Sequence, residues 1–392
     1  FKPIGALIAL DEGVITPNFG YPCSGRYYAC GHGKPGCTHS NVGHAANLSL
    51  AIANSCNSYF AHIYRMTVDN PRYGNVKNGY AVWHDYMTSM LFGQRTGVDL
   101  PSEDRGNIPD TAVYNRDYRG SWNSCTNLTL GIGQDKMTAT PIQLANAMCI
   151  IANKGYYYTP HIVERIENET EKDTILNPYR IKHRVLEGVS DATYEAVMDG
   201  MQEVTISGTA RSVQIPGINI CAKTGTAQNK IYLDGRTIEL KDNAVFVCFA
   251  PRENPKIAIA VVVENAGYGG TWGGPIAAIL MEKYLNDTLR PEKIKKMEEV
   301  AAANLLPPHL KRLQFKADST QAYDWYKAYQ DSTFIKKFLE KYNLKPNSPK
   351  QNQRTELDNN RLQAFIKPEN DFIQSRALWY RAFRKPDNDD IS

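Results

Sequence analysis

Apolar and polar positions along the chain change period several times, and the changes divide it into helical and extended parts. Ile4, Leu7 and Ile8 predict a first helix that ends at Gly13. Residues 14–44, rich in Gly, Pro, Tyr, Cys and His, have no usable period and read as a loop-dominated insertion. Helical spacing returns from Asn47 to Met66, broken by the polar Ser55-Cys56-Asn57 into two pieces. Residues 79–134 mix helix and loop. Thr140-Pro141 then opens a helix with Leu144, Met148 and Ile151 on its apolar face and Gly155 past its end. His161 to Ile166 reads as a strand, and Ser190 to Val204 as an amphipathic helix with Tyr194, Val197, Met198, Met201 and Val204 on one face.

Beyond these, the period shortens. Ile220 to Ala227, Asn243 to Ala250 and Ile257 to Glu264 are rich in β-branched and apolar residues, and Pro251 to Pro255 joins the last two, which predicts an antiparallel meander. A glycine-rich turn, Gly267 to Gly274, leads into a helix from Pro275 to Asn286 that can cover one sheet face. The expected fold class is α+β: an antiparallel sheet flanked by helices, plus a mostly helical subdomain, over residues 1–290. From Pro291 the composition shifts to Lys, Glu, Gln, Asn and aromatics, so residues 291–392 are expected to form a polar helical extension. Its helical patterns lie at 321–342 and 370–384, and residues 385–392 are expected to be disordered.

The formal charge of +4 is small and its basic residues are dispersed, which argues against a nucleic-acid partner. No run of about eighteen apolar residues appears, and the start is not a signal peptide. Because the chain opens without methionine and inside a helical pattern, the expectation is a C-terminal part of a longer protein, compatible with a membrane anchor upstream.

Candidate chemistry gathers on polar triplets set between apolar runs. Lys223-Thr224-Gly225, followed by Thr226, offers a fixed cation, hydroxyl donors and a glycine beside which another backbone could lie, so an extended peptide ending in a carboxylate could join this edge as a strand. Taken singly, Lys-Thr-Gly is an ordinary turn and Ser55-x-Asn57 a helix cap. In the order Lys2, Ser55-Cys56-Asn57, Lys223-Thr224-Gly225, the chain resembles the class B penicillin-binding transpeptidases, whose motif set is Ser-x-x-Lys, Ser-x-Asn and Lys-Thr-Gly. The stretch Leu128 to Gln134, the residues Met137 to Ala145, and Gly208-Thr209-Ala210 also look like that class.

The resemblance implies a β-lactamase/transpeptidase-like fold and acyl transfer through a serine ester. Lys2 fits the lysine of Ser-x-x-Lys, so the nucleophilic serine would lie two residues before Phe1, and the chain as written is expected to be inactive. Lys2 would be the base, Ser55 would relay protons and Asn57 would hold the donor amide. Lys223, Thr224 and Thr226 would take the terminal carboxylate of a D-alanyl-D-alanine stem peptide. The Thr226 N–H would help form the oxyanion hole. The implied partners are peptidoglycan stem peptides, β-lactams and a membrane glycosyltransferase of the elongation complex. The implied location is the periplasmic face of a bacterial inner membrane, and no cofactor is expected for catalysis. A serine β-lactamase, for which Glu164 and Asn168 have a suggestive spacing, and a non-catalytic β-lactam sensor are the alternatives.

Three of the eight cysteines lie in the insertion among histidines. Cys23, Cys30, Cys37 and His39, with His32 and His44 as alternates, are expected to form a structural zinc site; a Cys23–Cys37 disulfide with a spare thiol is the competing expectation. Cys56 and Cys125, with Cys149, Cys221 and Cys248, are scattered, and several lie in apolar runs as small core residues.

Overall fold

A computed structural model describes residues 1–344 except His32, Ser40, Asn41, residues 168–173 and Asp234. The chain folds as two units, Phe1–Leu305 and Leu306–Ser392.

In the first unit, α1 (Lys2–Asp11) takes Pro3 into its first turn and buries Ile4, Leu7 and Ile8. The insertion is irregular as expected, with a bridge between Arg26 and Gly36. Two helices, α2 (Leu48–Ala53) and α3 (Asn57–Val68), flank the polar triplet. The Asn47 side chain caps α2 by accepting from Leu50 N, and the Cys56 sulfur caps α3 by accepting from Tyr59 N. Ser55, between them, has φ +54°, a left-handed conformation that costs a non-glycine residue about 1–2 kcal/mol. Helices α4 (Val76–Ser89) and α5 (Thr111–Asp117) close this subdomain over Tyr80, Trp83, Tyr114 and Trp122, whose rings meet edge to face, stacked or tilted. Glycine is required at 79, because a Cβ there would lie 2.1 Å from Val68 O.

Helix α6 (Pro141–Ala152) carries a full capping box between Thr140 and Gln143. Next, β1 (Tyr156–Tyr158) pairs antiparallel with β2 (Lys182–Arg184). The strand expected over His161 to Ile166 does not form. Pro160 precedes it without an N–H, and Ile162 and Val163 donate their backbone N–H groups to the Asp99 carboxylate while their side chains stay exposed. Helix α7 (Asp191–Ile206), capped by Ser190, buries the expected Tyr194, Val197, Met198, Met201 and Val204.

After β3 (Cys221–Ala227), β4 (Lys230–Leu233) and β5 (Arg236–Glu239) pair as a separate two-stranded hairpin, and the main sheet is formed by β3, β6 (Asn243–Ala250) and β7 (Ile257–Val263). Its order is β3-β6-β7, all antiparallel, so β3 is an edge strand. Cys221, Lys223 and Gly225 stand on one face, where Cys221 Sγ reaches Met198 O of α7. Phe246 and Cys248 stand on the other, against α8 (Gly273–Asn286), where Cys248 Sγ meets Met281 Sδ.

The first unit extends one helix beyond the expected boundary at Arg290. Buried Glu282 accepts from Arg290 N and pairs with Arg290 Nε at 2.7 Å, which anchors the start of α9 (Pro291–Ala302) to α8. In the second unit the helical pattern expected at 321–342 resolves into two helices, α10 (Pro308–Tyr329) and α11 (Thr333–Lys341). They part at Gln330, which has φ +52°, and pack around Ala322, Ile335 and Phe338. The expectations for 370–384 and 385–392 lie outside the described residues.

Candidate active site

The left-handed Ser55 lets one turn present several oxygens to one cation. Lys2 Nζ, from the start of α1, donates to Ser55 O at 2.7 Å, Ser55 Oγ at 2.9 Å and Asn57 Oδ1 at 2.5 Å. Burial lowers the Lys2 ammonium to about 8, against a smaller upward pull from the thiols of Cys56 and Cys37. Asn57 is engaged at its other end as well, where Nδ2 donates to Gly36 O of the insertion at 2.6 Å. A peptide amide binding Asn57 would therefore replace one of two existing bonds.

Lys223 comes to the same place from β3. It is 3% exposed, and its Nζ donates to Thr224 O at 2.9 Å and Thr224 Oγ1 at 3.4 Å. Burial first, and the Lys2 charge second, push its ammonium well below the ordinary lysine value. Both lysines are held by neutral oxygens, so the pocket brings together two buried amines whose proton affinity is lowered, Lys2 to about 8.

Thr226 is half-buried in β3, and no strand covers the outer edge of β3 among the described residues. Close backbone approach to Gly225 does occur, but from this chain's own turn: a Cβ on Gly269 would lie 2.5 Å from Gly225 O and 2.1 Å from Val245 O. Lys2, Ser55, Asn57, Lys223, Thr224, Gly225 and Thr226 thus belong to one site floor and one edge strand. Glu164 is exposed, and Asn168 lies outside the described residues.

The expected zinc ligands are brought together only in part. Cys30 is excluded, because it forms a disulfide with Cys125, 95 residues away. Its place is taken by Cys56, the middle residue of the polar triplet. The donor atoms of Cys23, Cys37, His39 and Cys56 all lie within 4.8 Å of one another. Cys23 Sγ and Cys37 Sγ are 3.6 Å apart and not bonded, close to the roughly 3.8 Å that separates two thiolates on a tetrahedral zinc with 2.3 Å bonds.

Each sulfur also accepts a backbone N–H at 3.4 Å, from Gly25, Ser58 and Tyr59 respectively. The hydrogen bond between Cys56 and Cys37 pulls the Cys37 thiol far down and pushes the Cys56 thiol up. Both ring nitrogens of His39 are buried without a hydrogen-bond partner among the described residues, and burial pushes its imidazole below the usual histidine value. His44 meets His39 edge to face at 4.5 Å, outside the four-atom cluster, and His32 lies outside the described residues. The donor set therefore fits a structural zinc ion. Thiols of Cys56 type carry no local sequence signal for this role, because the triplet's flanking residues already explain its polarity.

The model of the penicillin binding protein transpeptidase domain matches residues 1–283. The chain is 32% identical over 302 residues to the peptidoglycan D,D-transpeptidase MrdA of Haemophilus influenzae, a match covering 74% of this chain and 44% of that protein. Among solved structures it is similar to Pseudomonas aeruginosa PBP2 in complex with WCK 5153, with a TM-score of 0.61, 31% identity and coverage of 74% and 62%. It is also similar to Helicobacter pylori PBP2 in complex with MreC, with a TM-score of 0.55, 26% identity and coverage of 74% and 50%. The chain thus spans less than half the length of the Haemophilus relative. With the three motifs on one site, the chain belongs to the penicillin-binding protein transpeptidase family, in the class B, penicillin-binding protein 2 group that its sequence resembles.

Proposed function

We propose that the protein is a peptidoglycan D,D-transpeptidase of cell elongation that works through a serine acyl-enzyme. The observation that carries this is the Lys2 amine held against Ser55 and Asn57 on the floor shared with buried Lys223. The nucleophile is the serine that Ser-x-x-Lys places two residues before Phe1. Neutral Lys2 takes its proton as its oxygen attacks the penultimate D-alanine carbonyl. Lys223, Thr224 and Thr226 hold the terminal carboxylate, and the Thr226 N–H faces the developing oxyanion. Lys2 returns the proton through Ser55 to the departing D-alanine amine as the C–N bond breaks. An amine of a second stem peptide then displaces the serine ester, and a β-lactam leaves that ester blocked. With a pentapeptide donor and an amine acceptor, the full-length protein should release one D-alanine per cross-link and stop when treated with penicillin; release without cross-links would point to a carboxypeptidase or hydrolase instead.

This reading places the protein at the periplasmic face of an inner membrane, working with the glycosyltransferase of the elongation complex. The Cys30–Cys125 disulfide suits an oxidising compartment. No described helix is long and apolar enough to cross a membrane. Co-purification of the full-length protein with that glycosyltransferase tests the pairing.

We further propose that Cys23, Cys37, His39 and Cys56 hold a structural zinc ion beside the site. The support is the four-donor cluster and the unpartnered imidazole of His39. Zinc would pin the sparsely apolar insertion to the Ser55 turn. Elemental analysis should find about one zinc per chain, and a metal-free protein of unchanged melting temperature would end the proposal.

A further inference from the structure

Thr209 ties the two walls of the cleft together. Its backbone N–H donates to Ala53 O at 3.2 Å, two residues before Ser55, and its hydroxyl lies 2.7 Å from Thr224 Oγ1 on β3. The backbone around it has no slack. A Cβ on Gly208 would lie 2.4 Å from Ala53 O, and one on Gly270 would lie 2.8 Å from Thr209 O. Thr209 is nevertheless exposed, so its hydroxyl stands at an accessible edge of the site.

We propose that Thr209 is a positioning residue that aims the Thr224 hydroxyl at the carboxylate of the donor peptide or β-lactam. A hydroxyl has one proton and two acceptor sites. Lys223 Nζ donates to Thr224 Oγ1 at 3.4 Å and so occupies one of its acceptor sites. Either threonine can donate in the Thr209–Thr224 contact. A carboxylate only accepts, so its arrival selects the order Thr209 to Thr224 to carboxylate. With both of its acceptor sites filled, Thr224 has its single proton directed at the anion, and each bond in the chain polarises the next. Without the Thr209 hydroxyl, one acceptor site of Thr224 is open and its proton is free to turn away.

The inference rests on the acyl-transfer reading, and its test separates the two. Second-order acylation rates of the full-length wild type, Thr209→Val and Thr209→Ser are measured with a penicillin and with its carboxyl methyl ester. Thr209→Val should lose about tenfold with the free acid and much less with the ester, and Thr209→Ser should recover most of the loss. Equal losses with acid and ester would assign Thr209 a merely structural role and overturn the inference, as would no loss with either. A wild type that takes up no penicillin would overturn the proposed function and this inference with it.

Discussion

Ser55 and Cys56 are neighbours in sequence and serve two different pockets: Ser55 Oγ accepts from Lys2 Nζ at 2.9 Å, and Cys56 Sγ joins the cluster of Cys23, Cys37 and His39. The left-handed turn at Ser55 separates the two side chains. The geometry of the catalytic floor is therefore tied to the insertion through a single peptide unit, and again through the Asn57 to Gly36 bond.

Two cysteine variants distinguish these roles. Cys56→Ser should lose bound zinc and lower the melting temperature, whereas Cys30→Ser should keep the zinc. Because Cys30 closes a long loop with Cys125, its loss should cost about 2–5 kcal/mol of stability. Zinc content and denaturant midpoints of both variants check this. Zinc lost from Cys30→Ser and kept in Cys56→Ser would restore the ligand set first expected from sequence.

Lys223→Met should leave stability unchanged or raise it, because it removes a buried ammonium that faces only neutral oxygens. The same change should slow acylation by about a hundredfold through loss of the carboxylate's cation. Thermal melts and penicillin acylation rates measured together check it. A large drop in melting temperature with normal acylation would make Lys223 a structural residue.

The pH dependence follows from Lys2. Burial brings its folded value to about 8, below the ordinary 10.5. Acylation should therefore rise with pH as Lys2 loses its proton near 8, and then level off. For stability, the unfolded lysine keeps its proton up to about 10.5 while the folded one releases it near 8, so the unfolded state binds more protons between these values. Stability should rise with pH in that window by this contribution, and the destabilisation is fully present below pH 8. The difference between wild type and Lys2→Met in denaturant midpoint, followed from pH 7 to 9.5, isolates it. A difference that does not change with pH would contradict the shifted lysine.

Much of the fold could be read from local pattern. The capping box at Thr140, the α7 face from Tyr194 to Val204 and the meander around Lys223 all follow rules that act within a few residues. The order of the triplets led from these to the site. What escaped was set by distance or by context. Cys30 pairs across 95 residues, with no signal in the spacing of its neighbours. Cys56 reads as a core thiol until the turn at Ser55 brings it beside Cys23 and Cys37. Ile162 and Val163 have strand-like side chains, but the Asp99 carboxylate takes their N–H groups. The β4–β5 hairpin has a weak sequence signal, because few apolar residues, Ile231, Leu233 and Ile238 among them, mark its strands.

The most direct test of the central claim is peptide mapping of the full-length protein after reaction with a penicillin. The account predicts one covalent adduct, on the serine two residues before Phe1, lost when Lys2 becomes Met. An adduct on any other residue, or none on a folded protein, would contradict it.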